Sequence, residues 1–205
     1  RCGDKATRVG ATDGVSVRSS EGSIYMGENL TVSSNSDKTL FEAGKDIVID
    51  RDATLNSEKN SVVFSAGQDI KFEEDFTVHG KGFELNAQGS LQVGDKATVQ
   101  TDFGAYETGS VASLPQTAID VKGDVKFGDD ATFRTTMLSM NAGNDENHTS
   151  GNIAFGERAS IQTTVLGAVI DAEGDIAFGA GANIRPQEDQ EDSYVRISSR
   201  GQTSF

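Results

Sequence analysis

The sequence has little of what marks disulfide-rich domains, metal clusters and nucleic-acid binders. Among 205 residues there are one cysteine, two prolines and no tryptophan. Cys2 stands alone, which excludes an internal disulfide and a cysteine-based metal cluster. The formal net charge of -14 argues against nucleic acid as a partner, because phosphate binding needs clustered Lys and Arg. No apolar run approaches the ~18 residues that a membrane-spanning helix needs.

A repeat runs through most of the chain, and it is marked by glycine, of which there are 23 residues. Each copy reads glycine, one or two polar residues, an apolar anchor residue, a second apolar residue two positions later, and then a bend. The intervals between successive anchors are 23, 23, 21, 34, 28 and 23 residues. The anchors are Ile24, Ile47, Ile70, Leu91, Val125, Ile153 and Ile176.

Apolar residues alternate with polar ones around each anchor. Positions two, six and eight residues after the anchor are apolar in every copy, and alternation with period two is typical of a strand with one buried face. A further strand precedes the anchor, with apolar residues at six and four positions before it. The column six positions before the anchor is interrupted in the copies of Ile24 and Ile153, where Arg18 and Asn147 take that position.

Three short strands per unit, joined at glycine-rich bends, predict one all-β domain over residues 1–205. The predicted fold is a parallel β-helix, or β-solenoid, of about seven to eight coils of 21–23 residues, with two loop insertions near 101–116 and 141–150. At the carboxyl end, Thr203 and Phe205 fall in the anchor column and the next column. We therefore expect the chain to be a segment of a longer repeat protein, or to meet partner chains end to end.

The insertions are candidate binding loops, because solenoid insertions leave the stack and often carry function; tolerated loops without a binding role are the other interpretation. Phe103, Tyr106 and Leu114 in the first insertion are candidates for packing over the coil or for contact with a protein partner. Two N-x-[ST] sequons occur, at Asn29 and Asn147, both at positions expected to face outward, where they would carry glycan in a protein secreted by a eukaryote. Chance occurrence of this short motif is the other interpretation.

Acidic residues concentrate three to five positions after the anchors. Stacked carboxylates at strand spacing repel one another, and the repulsion is relieved either by a bound cation, with Ca²⁺ favoured by oxygen ligands, or by Arg51, Lys96 and Arg158 in the same corner. A merely solvated acidic edge is the other interpretation. The candidate cation ridge comprises Asp50, Asp52, Glu73, Glu74 and Asp75.

Catalytic residues are not evident in the sequence. His79 and His148 have no clear partner and are expected at the surface. Asp129 and Asp130 are the pair that an acid–base mechanism on sugars would use, since parallel β-helix enzymes place Asp, Lys and Arg on one face. We therefore expect a non-enzymatic module that needs no cofactor, with a carbohydrate-acting enzyme or carbohydrate-binding module as the alternative.

The stretch FSAGQDIKFEEDFTVHGKGFELNAQGSLQVG, residues 64–94, resembles the β-helical repeats of surface proteins of the filamentous-haemagglutinin type. VSVRSSEGSIYMGENLTV, residues 15–32, is similar in texture to sarcoglycan ectodomains. The resemblance implies an elongated structural or adhesive protein in an extracellular or cell-surface location, with protein partners or surface glycans and a role in adhesion, display or fibre assembly.

Overall fold

The computed structural model describes residues 7–101, 116–144, 149–186 and 194–205. These ranges form strands and turns without a helix, and so contain no helix with the length and apolar character needed to cross a bilayer. The strands, in chain order, are β1 Thr7–Ala11, β2 Val15–Ser19, β3 Ile24–Met26, β4 Leu30–Ser34, β5 Thr39–Ala43, β6 Ile47–Ile49, β7 Thr54–Ala66, β8 Ile70–Phe72, β9 Thr77–Ala87, β10 Leu91–Val93, β11 Thr98–Thr101, β12 Thr117–Val121, β13 Val125–Phe127, β14 Thr132–Asn144, β15 Thr149–Ser150, β16 Ile153–Phe155, β17 Ser160–Ala172, β18 Ile176–Phe178, β19 Asn183–Pro186, β20 Tyr194–Ser199 and β21 Thr203–Ser204.

The short strands that begin at the anchors form one parallel sheet, which we call the first face. It runs β3-β6-β8-β10-β13-β16-β18-β21, so each strand pairs with its counterparts in the neighbouring coils. Ile47, for example, lies beside Ile24 on one side and Ile70 on the other. The predicted parallel β-solenoid is therefore confirmed, with about seven turns.

A larger sheet of 13 strands bends around the rest of the stack. Its second face holds β1, β4, β11, β19 and the first halves of β7, β9, β14 and β17. Its third face holds β2, β5, β12, β20 and the second halves of the same long strands. The register shifts where the long strands bend, between Ser57 and Ser61 in the β7–β9 pair and between Thr135 and Met137 in the β14–β17 pair.

The inward columns of the repeat form the core. All seven anchors are buried, as are all seven residues two positions after them and the five apolar pairs that precede them on the third face. Phenylalanine rings stack along the axis on successive coils, with centroids 5.2 Å apart between Phe127 and Phe155 and 5.0 Å apart between Phe155 and Phe178. Ala182 and Ile184 are only partly buried, because among the described strands β19 pairs with β17 alone.

Two predicted column positions are wrong, and both errors come from turn length. Val17, not Arg18, lies beside Phe41, because the turn between β2 and β3 is one residue longer than in the coils that follow. Met140, not Asn147, lies beside Ile119 and Ile170, because an insertion separates the third-face strand from its anchor Ile153. Met140 is fully buried, so the apolar column continues through this coil.

Candidate functional site

The bend between the first and second faces, which we call the left-handed corner, has one backbone conformation in each coil. The fifth residue after each anchor has a positive φ, between 56° and 59° at the non-glycine positions and 75° at Gly181. Asn and Asp tolerate this conformation better than most side chains, and Gly adopts it without strain. These residues are Asn29, Asp52, Asp75, Lys96, Asp130, Arg158 and Gly181.

The five residues of the predicted cation ridge lie along this corner. Asp50 accepts a hydrogen bond from the backbone N–H of Arg51 at 2.9 Å, and Glu73 forms an ion pair with Lys71 at 2.6 Å. Asp52 and Asp75 occupy left-handed positions, and Glu74 is exposed. In the described ranges no three His, Cys, Asp or Glu side chains form a group that could hold a metal ion. Calcium binding by the ridge stays a prediction.

Basic residues in the same corner pair with acidic ones from the preceding coil. The Nε atom of Arg51 lies 3.0 Å from Oε2 of Glu28, and this hydrogen bond raises the pKa of Arg51. Arg158 donates two hydrogen bonds to the carboxylate of Asp130, at 2.7 and 2.8 Å. The hydrogen bonds with Arg158 hold the pKa of Asp130 below its ordinary value. The sequence analysis predicts such ion pairs as one way to reduce the repulsion between stacked carboxylates, and they are present at Arg51 and Arg158.

The aspartates considered for catalysis lie in this corner as well. Asp130 is held by Arg158, and Oδ1 of Asp129 accepts a hydrogen bond from the backbone N–H of Glu157 at 2.8 Å. His79 lies exposed on β9 between Asn56 and Gln100 of the neighbouring strands, as expected for a surface residue. His148 lies outside the described residues.

The bend between the third and first faces, which we call the ladder corner, carries a motif that the sequence analysis missed. The side-chain oxygen of the residue just before one anchor accepts a hydrogen bond from the backbone N–H of its counterpart in the next coil, as from Asn152 to Asp124 at 2.8 Å. The sequence does contain the pattern that predicts this ladder, because every residue that directly precedes an anchor is Ser, Asp, Asn or Gln and so has a side-chain oxygen. The members are Ser23, Asp46, Asp69, Ser90, Asp124, Asn152, Asp175 and Gln202.

The bend between the second and third faces, which we call the hydroxyl corner, is where the first insertion leaves the stack. The insertion starts after Thr101 and returns before Thr117, and residues 102–115, with the predicted partner residues Phe103, Tyr106 and Leu114, lie outside the described ranges. Thr135 of the next coil lies within 2.7 Å of the Thr101 hydroxyl and 3.1 Å of the Thr117 hydroxyl. All three side chains are buried, so the base of the loop is closed by hydrogen bonds.

The second insertion leaves from the ladder corner. Its predicted start at residue 141 is too early, because β14 continues to Asn144 and returns through an antiparallel pairing with β15. Gly143, with φ of 91°, pairs with Ser150 there. Of the two sequons, Asn29 is exposed in the left-handed corner, and Asn147 lies outside the described residues.

A polar groove of about 440 Å³ lies on the outer side of the third face, beside this second insertion. Cross-strand neighbours from four successive coils form its floor: Asp120 lies beside Asn141, Asn141 beside Asp171, and Asp171 beside Ser198. Three ion pairs frame it. They join Lys122 to Asp120 at 3.5 Å, Arg196 to Asp171 at 3.2 Å and Arg200 to Glu173 at 2.9 Å.

No protein-family model, curated protein or solved structure matches this chain. The resemblances to filamentous-haemagglutinin-type repeats and to sarcoglycan ectodomains therefore stay predictions.

Proposed function

We propose that the chain is a non-enzymatic structural or adhesive module of a cell-surface, extracellular or fibrous assembly. The continuity of the stack carries this proposal. The first face is a single eight-stranded sheet from β3 to β21, and successive coils are also joined by the side-chain hydrogen bonds of the ladder corner. At a strand spacing of ~4.8 Å, eight strands extend about 35 Å along the axis.

The distribution of loops supports the proposal. The three faces have nearly constant length from coil to coil, whereas the hydroxyl corner changes from a single residue between Thr135 and Met137 to the whole first insertion. A constant stack with variable corner loops suits a protein that holds contact surfaces at fixed positions, as repeat proteins do.

The hydrogen bonds of Asp129 and Asp130 in the left-handed corner also favour a structural role over sugar cleavage. A general acid and its partner base need access to substrate and carboxyl groups that are free to exchange protons. Asp130 is instead paired with Arg158 in two hydrogen bonds, and Asp129 holds the backbone N–H of Glu157. We assign both to the stability of the corner.

The test is electron microscopy of the protein from its native source, combined with labelling of intact and permeabilised cells by an antibody raised against this chain. Rods or filaments of uniform width, labelled on intact cells or in the extracellular matrix, are the expected result. Labelling that requires permeabilised cells, together with separate globular particles, would overturn the proposal. Pre-absorption of the antibody with purified chain provides the control for specificity.

A further inference from the structure

We propose that the polar groove on the third face, which we call the saccharide groove, binds a neutral oligosaccharide. This inference goes beyond the structural role, because it gives one surface of the stack a ligand of defined chemistry. The groove volume of about 440 Å³ is in the range of small-molecule sites, roughly 300–1,000 Å³. Its floor spans four coils, about 14 Å at strand spacing.

The charges of the groove favour a neutral ligand. Three carboxylates, of Asp120, Asp171 and Glu173, are matched by three cationic groups, of Lys122, Arg196 and Arg200, so the lining carries no net charge. The chain as a whole has a formal net charge of -14, which repels polyanions. An anionic ligand would also have to compete with carboxylates already bound to the basic side chains.

Hydroxyl groups fit this lining better than other ligand groups. A carboxylate only accepts hydrogen bonds, and the Arg and Lys side chains only donate them. A sugar hydroxyl does both, so neighbouring hydroxyls of one ring can donate to Asp171 while accepting from Arg196, which lie 3.2 Å apart. Asn141 and Ser198 add an amide and a hydroxyl to the same floor, and both can also donate and accept.

An exposed aromatic residue, Tyr194, lies on β20 two positions before Arg196 of the groove lining. Side chains two residues apart on a strand point to the same side, so Tyr194 lies on the outer face with Arg196 and Ser198. Tyr194 is 50% exposed, and the residue beside it on β17 is Gly167, which has no side chain to cover the ring. The apolar face of a sugar ring can pack on such a surface while its hydroxyls remain in water or in the groove.

The third face offers a matched control at its other end. The row of cross-strand neighbours that includes Asp120 and Asp171 continues back through Asn86 and Ser65 to Glu42 and Arg18. Arg18 and Glu42 of this row form an ion pair at 2.9 Å, and their side chains are about as exposed as those of the Arg196–Asp171 pair, in which only Asp171 belongs to the row. Glu42 and Arg18 do not line the groove.

The experiment is titration of the ¹⁵N-labelled chain with soluble cello-, xylo-, manno- and malto-oligosaccharides, and with oligogalacturonate and heparin fragments as acidic probes. We expect a neutral oligosaccharide to shift the backbone amide signals of residues 171–173 and 196–200. Asp171→Asn and Arg196→Ala should each weaken binding at least about tenfold, the factor expected for one lost charged hydrogen bond. Glu42→Gln and Arg18→Ala should leave affinity unchanged.

Three results would overturn the inference: no binding of any neutral probe at millimolar concentration, preferential binding of the acidic probes, or equal loss of affinity in the groove and control variants. Tyr194→Ala should also reduce the affinity for the oligosaccharide. Because this variant breaks no ion pair, it tests the groove independently of the Asp171 and Arg196 variants. Circular dichroism confirms that each variant folds. A chain that forms surface rods but binds no saccharide would refute the groove alone, and saccharide binding by an intracellular particle would refute only the structural proposal.

Discussion

Thr101 donates a hydrogen bond from its hydroxyl to Oγ1 of Thr135, 34 residues away in the chain, at 2.7 Å. Thr117, on the other side of the first insertion, reaches the same oxygen at 3.1 Å, and Thr135 itself donates to the carbonyl of Met137 at 2.9 Å. The Thr135 hydroxyl thus uses its one donor and both acceptor positions. One buried side chain holds both ends of the longest insertion.

Replacement of Thr135 by Val should destabilise the protein by about 1–3 kcal/mol, because the Thr101 and Thr117 hydroxyls lose their buried partner. Thr163→Val is the matched control: Thr163 lies beside Thr135 in the next coil, and its buried hydroxyl has no hydrogen-bond partner within the described residues. That variant should be neutral or slightly stabilising. Urea denaturation measures both, and equal loss in the two variants would contradict the assigned role of Thr135.

Substitution at Lys96 tests the left-handed corner. Lys96 has φ of 58° and an exposed side chain, so Lys96→Val should destabilise by about 1 kcal/mol or more, because a β-branched residue strongly resists this conformation. Lys96→Gly removes the same charge without the strain and should cost nothing or stabilise. Gln92→Val, on an exposed strand position, should stay within about 0.5 kcal/mol of the parent. Thermal unfolding of the three variants gives the comparison.

The Arg158–Asp130 pair makes a prediction about pH. The pKa of Asp130 is lowered by its hydrogen bonds with Arg158, so the pair stabilises the fold at pH values above the pKa of an unfolded Asp. This contribution is lost as the pH falls through the lower pKa of the folded state. Arg158→Gln should raise the Asp130 pKa toward its ordinary value, as followed by NMR titration of the carboxyl carbon. Arg51→Gln, which removes the partner of Glu28, should leave the Asp130 titration unchanged.

The core columns predict a contrast between two phenylalanines. Phe64 is fully buried, with its ring centroid 4.8 Å from Phe41 and 4.9 Å from Phe72. Phe64→Ala should cost about 3–5 kcal/mol through lost contacts and the cavity left behind. Phe205 stacks on Phe178 at 5.0 Å but is 85% exposed, so Phe205→Ala should cost less than about 0.5 kcal/mol. Similar losses in both would mean that stacking, rather than burial, dominates.

The sequence predicted the columns well, because an inward strand position must be apolar in every coil and the alternation shows directly. It failed at Val17 and Met140, where longer turns displaced the fixed spacing from the anchor. The ladder residues, such as Asp124 and Asn152, were overlooked although each directly precedes an anchor, since polar residues in bends are usually read as solvated.

The groove was only partly predictable from the repeat. Asp120, Asp171 and Ser198 each lie five positions before a residue of the anchor column, but Asn141 lies twelve positions before Ile153, because the second insertion separates the two. The strand register brings all four into one row. The ion pairs of the groove, such as Arg196 with Asp171, likewise depend on side-chain rotamers and neighbouring residues, which the sequence period does not reveal.

The attachment point of each loop is defined by two things. One is the coil to which the loop belongs, which sets its position along the stack axis, and the other is the corner from which it starts. Ser57, Gly80 and Thr101 occupy the same place in the hydroxyl corner on successive coils. A loop grafted after Ser57 would therefore start at the same corner as the first insertion, which begins after Thr101, but about 10 Å away along the axis, two strand spacings. Gain or loss of whole coils would change the distance between two loop attachment points in fixed increments of one strand spacing, about 4.8 Å, while each attachment point stays at its own corner.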